Sequence, residues 1–232
     1  MRPNGDTPLR LYEEVLLLAL RDKEGTVHFG AHVQYGLAAA FIAELLLERR
    51  IGVDANAKRQ LVDVVDRSLL GDELLDECLE KLTNAKRRGT VKTWVTRLAG
   101  LRRLRARAAS ALVRRGILKL EEGRVLLFFS RTMYPERDPK PEREIVARLR
   151  RAIFGGNVDV DPRTTLLIAL THATGILPHV FDKKRLKDRK ARIQQITDGS
   201  LVGKAAKEVV EAVQAAVIAA GVAASVAATS GR

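Results

Sequence analysis

A single cysteine, Cys78, stands among 232 residues, which excludes a disulfide within the chain and a cysteine zinc cluster. No GxGxxG, GxxxxGKS/T, HExxH or GxSxG pattern occurs, so the usual sequence marks of nucleotide-binding, zinc-hydrolase and serine-hydrolase chemistry are missing. The opening residues MRPNGDTPLR show no apolar stretch ahead of a cleavage site, so no signal peptide is expected. The longest largely apolar run, Ala212 to Ala228, is 17 residues long. A bilayer span needs about 20, and this run is mostly alanine, so a buried core helix is expected there and the chain reads as cytoplasmic. Fixed-period repeats and low-complexity linkers are absent too, which favours one folded unit.

What is abundant is positive charge. Lys and Arg number 41 against 28 Asp and Glu, giving a net charge of +13 and a pI near 10.3. Such an excess favours anionic partners: nucleic acid, an anionic membrane or an acidic protein. Hydrophobic residues make up 46% of the chain, enough for a sizeable core in one large domain or two small ones.

The apolar periodicity is overwhelmingly helical. Thr7 and Pro8 form an N-cap and first-turn proline signal ahead of Leu11, Val15 and Leu18. A helix over about Val33 to Glu48 is apolar nearly all round, the mark of a central element. GDELLDECLEKL is amphipathic, with Cys78 on its apolar face among Leu74, Leu75, Leu79 and Leu82. Val91, Trp94, Val95 and Leu98 mark a shorter helix, and LRRLRARAASALVRRG a basic one stopped by Gly116. Pro141 and Asp161-Pro162 each open a further helix, and DKKRLKDRKARIQQI precedes the alanine-rich last one. Two short strands are expected around the polar turn of IGVDANAKRQLVDVVD, and a hairpin in ILKLEEGRVLLFF with its turn at Glu121-Glu122-Gly123. The fold class that follows is mainly α: a single helical domain, central apolar helices wrapped by amphipathic ones, with short β-hairpins attached.

The four histidines do not assemble a site in this pattern. His28 and His32 straddle a predicted turn, and Pro178 separates His172 from His179. With no catalytic constellation, no metal site and no cofactor motif, a non-enzymatic role is expected. The charge is more informative because it clusters. From Arg97 to Arg115 there are seven arginines and no acid. Arg102 and Arg105 are three apart, which on a helix sends both guanidinium groups to one face. Guanidinium forks bind phosphate bidentately, and arginine rather than lysine fits that chemistry. Arg97 and Arg103 would add general attraction, as would the lysine-rich stretch Lys183 to Arg192, which reads as an electrostatic surface without geometric selectivity. Met133 and Tyr134, flanked by Arg131 and Arg137, read as an apolar tip for bilayer insertion or self-association. A basic helix followed by a hairpin also has the look of a winged-helix nucleic-acid binder. That alternative lacks Asn/Gln side chains for base reading and has an acidic EEG where a wing would meet phosphate. A protein–protein adaptor with a basic face is the third reading.

One further set of motifs narrows the choice. EEVLLLALRDKEGTVHF closely resembles the N-terminal signature of the Golgi phosphoprotein 3 family, where EEVLLL is followed by a DKEG-type turn and a Phe. The likeness continues through GLAAAFIAELLLERRI, DELLDECLEKL, LRRLRARAASALVRRGIL, RVLLFF and RTTLLIALTHATGIL, so it covers about 9–228, leaving 1–8 and 229–232 as tails. The resemblance implies a helical domain with a protruding hairpin used in self-association. It also implies a peripheral membrane protein that binds phosphatidylinositol 4-phosphate and acts as an adaptor for cargo tails. The family's pair of pocket arginines coincides with Arg102 and Arg105. Its membrane-facing Trp is replaced by Gly30, and a further pocket Arg by Ala38. Those departures remove a bilayer anchor and a phosphate donor. The Ala/Arg/Val-rich composition, without a long polar N-terminal tail, points to a prokaryotic-type member. The partners expected are anionic or phosphoinositide headgroups at a membrane surface, with protein cargo or a second copy at the hairpin and nucleic acid disfavoured.

Overall fold

The computed structural model describes residues 8–21, 24–27, 32–53, 61–125, 129–156, 159–201, 207 and 210. Three segments that are apolar on nearly every side lie at its centre, because a helix without a polar face can satisfy itself only when surrounded. In α1 (Leu11–Ala19) every residue is buried. In α2 (Val33–Leu47) the burial is unbroken from Gly36 to Leu46, and in α7 (Pro162–Ala173) from Thr164 to Thr171.

Amphipathic helices wrap this centre. They are α3 (Glu73–Thr83), α4 (Val91–Ala99), α5 (Leu104–Arg114) and α6 (Lys140–Phe154), followed by the shorter α8 (Leu177–Val180), α9 (Lys183–Asp188) and α10 (Lys190–Thr197). Their caps follow the sequence. Asp72 accepts from the N–H groups of Leu74 and Leu75, Thr90 from Thr93 and Asp161 from Thr164, each satisfying first-turn donors that a helix leaves open. Cys78 is fully buried on α3, as its apolar face requires, and burial pushes its thiol far up, so it is an inert core residue. Two antiparallel pairs complete the described fold: β1 (Ile51–Val53) with β2 (Val62–Val64), and β3 (Glu121–Val125) with β4 (Phe129–Met133). One continuous apolar cluster runs through these helices, so the chain is a single, mainly α domain with two small hairpins.

Several boundaries differ from the sequence reading, each for a visible reason. The first helix starts at Leu11 rather than after Thr7, with Pro8 outside it. Its open donors are met there: the Arg10 N–H by the Glu13 carboxylate at 2.8 Å and the Leu11 N–H by Glu44 at 2.6 Å. Glu121-Glu122-Gly123 is strand, not turn. Gly123 pairs with Arg131 and Val125 with Phe129, which moves the connection to Leu126, Leu127 and Phe128. That connection lies outside the described residues, as do Thr7, His28, Phe29, Gly30, the polar turn 54–60 and the run Ala212–Ala228.

The centre also holds charge. Glu13, Glu14 and Glu44 have side chains 3%, 4% and 1% exposed. Each meets an arginine from another element: Glu13 meets Arg115 at 2.9 Å, Glu14 meets Arg148 at 2.7 Å, and Glu44 meets Arg163 in a two-pronged contact at 3.0 and 3.1 Å. Burial raises the Glu13 and Glu14 carboxyls above the ordinary range. Opposing it are the Arg10 N–H and Arg115 on the first, and Arg148 and Arg163 on the second. The adjacent acids of EEVLLL are therefore clamps that tie α1 to α5 and α6.

Candidate functional site

The seven arginines between Arg97 and Arg115 divide into two groups. Arg107 meets Glu77 at 2.6 Å and Glu73 at 3.2 Å, Arg114 meets Glu73 at 3.8 Å, and Arg115 meets Glu13. These three fix α5 against α3 and α1. The other four, Arg97, Arg102, Arg103 and Arg105, are exposed and have no acidic partner among the described residues. They gather where α4 ends and α5 begins.

The corner itself departs from the sequence expectation. One helix was expected to carry both Arg102 and Arg105, but α4 stops at Ala99 and α5 starts only at Leu104. Arg102 and Arg103 occupy the turn between, so helical spacing does not set the direction of Arg102. Arg103 has φ +54° and ψ +28°, a left-handed conformation that costs a side-chain-bearing residue about 1–2 kcal/mol. The turn closes through Leu101 N–H to Leu98 O at 3.1 Å and Leu104 N–H to Leu101 O at 3.2 Å.

Arg105 lies in the first turn of α5. That end has no side-chain cap and no acid in its first turn, so nothing in that turn offsets the positive end of the helix dipole. On α4, the buried face of Val91, Trp94, Val95 and Leu98 turns Arg97 outward, where its guanidinium lies 5.0 Å from the Trp94 ring. The arrangement is an open cationic corner with planar donors and helix N–H groups together. Chemically it suits a phosphate or another compact anion.

The remaining expected site residues fall elsewhere. Ala38 is fully buried on α2 and offers no donor, and Gly30 lies outside the described residues. Met133 ends β4 half-buried, and Tyr134 follows it only 8% exposed, its N–H donating to Gly25 O at 3.0 Å. Both stand at the base of the hairpin rather than at a tip, because the strand pairing runs on to Met133. The stretch Lys183 to Arg192 is not uniformly solvated either. Arg185 lies over the Phe154 ring at 4.9 Å, and the buried Arg192 donates to Ala152 O. Sequence reasoning passed over the buried acids. The signal was present as two adjacent carboxylates inside an otherwise apolar helix, a pattern that requires partners. Among the described residues no helix is long and apolar enough to cross a membrane.

Comparison with known proteins agrees along most of the chain. The family model described as Golgi phosphoprotein 3 (GPP34) matches residues 11–213. Vacuolar protein sorting-associated protein 74 of Schizosaccharomyces pombe is similar to the chain, 28% identical over 222 residues. That alignment covers 82% of this chain and 65% of the length of the relative. From α1, with its paired acids and the DKEG turn, through α10 and beyond, the chain belongs to the Golgi phosphoprotein 3 family.

Proposed function

We propose that the chain is a non-enzymatic peripheral membrane protein whose α4–α5 corner binds phosphorylated or other anionic lipid headgroups. One observation carries this reading: four exposed arginines without acidic partners among the described residues flank an uncapped helix start, while the other three arginines of the run are paired. Arg102 and Arg105 serve as the headgroup ligands, and Arg97 and Arg103 supply attraction to the surface. Membership of the family supports membrane association of this kind, and the sorting function in the relative's name supports an adaptor role for protein cargo. Nucleic acid is the weaker reading. The basic segment Leu101–Gly116 carries no Asn or Gln side chain for reading bases.

Co-sedimentation with vesicles tests the proposal. Wild type pellets with phosphatidylglycerol and phosphatidylinositol 4-phosphate vesicles and stays in the supernatant with neutral ones. A basic residue near an anionic surface contributes about 1 kcal/mol, so Arg102→Ala with Arg105→Ala weakens binding by about 2 kcal/mol, roughly 30-fold. Raising salt from about 0.1 M to about 1 M shortens the screening length from about 10 Å to about 3 Å and releases the protein. Salt-insensitive binding to neutral vesicles would refute the mechanism.

A further inference from the structure

α9 and α10 line a cavity of about 300 Å³ together with α8 and the end of α7, and none of its lining residues belongs to the arginine run. Its floor is apolar: Leu177 from α8, Leu186 from α9 and Ile193 from α10 are all buried. Three exposed lysines, Lys183, Lys187 and Lys190, line the same cavity. Lys183 and Lys187, four apart, share one face of α9, and Lys190 opens α10 just beyond the break at Arg189. No acidic residue lines the cavity, and none of the three lysines has an ion-pair partner among the described residues.

An apolar floor under an uncompensated cationic rim selects for a molecule with both properties. Small hydrated anions gain nothing from Leu177, Leu186 and Ile193. An uncharged chain leaves three ammonium groups unanswered. The volume is at the low end for small-molecule sites, below what a docked helix would need. We infer that this cavity binds an anionic lipid through one acyl chain, which lies on Leu177, Leu186 and Ile193 while the acidic head meets Lys183, Lys187 and Lys190. The site is separate from the arginine corner, and its existence does not depend on headgroup binding there.

The test uses the full chain and 11-(dansylamino)undecanoate, a fluorescent single-chain carboxylate, below its micelle concentration. Emission rises and saturates at one probe per chain. Unlabelled dodecanoate displaces the probe, whereas butanoate, which has the charge but not the chain, does not. Changing Lys183, Lys187 and Lys190 together to Gln weakens probe binding about tenfold, a change of about 1.4 kcal/mol. All three are exposed, so the fold is retained. The variant with Arg102→Ala and Arg105→Ala binds the probe like wild type, which separates this site from the headgroup corner. The inference is overturned by an absence of saturable binding. It is equally overturned if butanoate competes as well as dodecanoate, or if dodecanol competes equally and the triple lysine change has no effect.

Discussion

Glu44→Ala lowers the stability of the fold by about 3 kcal/mol, the range in which removing one partner strands a buried charge. Three groups depend on this carboxylate at once. Arg163 makes its two-pronged contact with it, Arg10 lies 3.4 Å away, and the Leu11 N–H at the start of α1 donates to it at 2.6 Å. Alanine takes the two-pronged contact from the partly buried guanidinium of Arg163, leaving it Leu9 O and Glu14 at 3.8 Å, and orphans the first donor of the central helix. Urea unfolding measures the effect: the midpoint falls while the slope stays unchanged, because the surface exposed on unfolding is the same. Replacing both partners, Glu44→Leu with Arg163→Met, recovers only the part of the loss that comes from the unpaired guanidinium, because the Leu11 N–H stays without its acceptor. A single variant within about 1 kcal/mol of wild type would mean that the ion pair contributes little to the core.

Gly25→Ala has an effect of similar size from a different cause. Gly25 has φ +57°, and a Cβ there would lie 2.2 to 2.4 Å from the backbone of Tyr134 and Pro135. Left-handed backbone costs alanine about 1–2 kcal/mol, and forcing apart two packed backbones adds about 1–3 kcal/mol. For a chain of this size about 3 kcal/mol lowers the melting temperature by about 10 °C. Gly71→Ala is the control. Its φ is +72° but nothing lies within 4 Å of the added Cβ, so only the conformational cost of about 1–2 kcal/mol is expected. Equal melting temperatures for the two variants would show that the Gly25–Tyr134 approach is not tight.

These two residues also show how unevenly the fold can be read from its sequence. α3, with its 3.6-residue apolar stripe, and α2, apolar on nearly every side, were legible almost to their ends, whereas for α6 and α7 only the starts were marked, by Pro141 and Asp161-Pro162. The break before α5 was not. Leu98, Leu101 and Leu104 keep a spacing of three through it, and that spacing suits a helix and a tight turn equally. Nothing in Arg103 marks a left-handed residue, since an arginine carries no preference for that conformation. The hairpin turn was misplaced for a related reason: Gly123 looks like a turn residue, yet cross-strand pairing carries it into β3. The arginines of the candidate corner were visible as a cluster. Which of them stand open was not, because Glu73, Glu77 and Glu13 come from other parts of the chain.

The paired arginines of α5 bear on the time a bound protein would spend at a membrane. Arg107 and Arg115 hold this helix from two sides, so the open arginines at its start ride on an element that needs no ordering when an anion arrives. Long-range attraction from the basic surface speeds arrival, while the exposed corner has little apolar area to delay departure. A contact built this way forms fast and breaks fast. On the proposed headgroup reading, the lifetime of such a contact would be set by how many anionic heads are within reach, and the protein would linger only where those heads are dense.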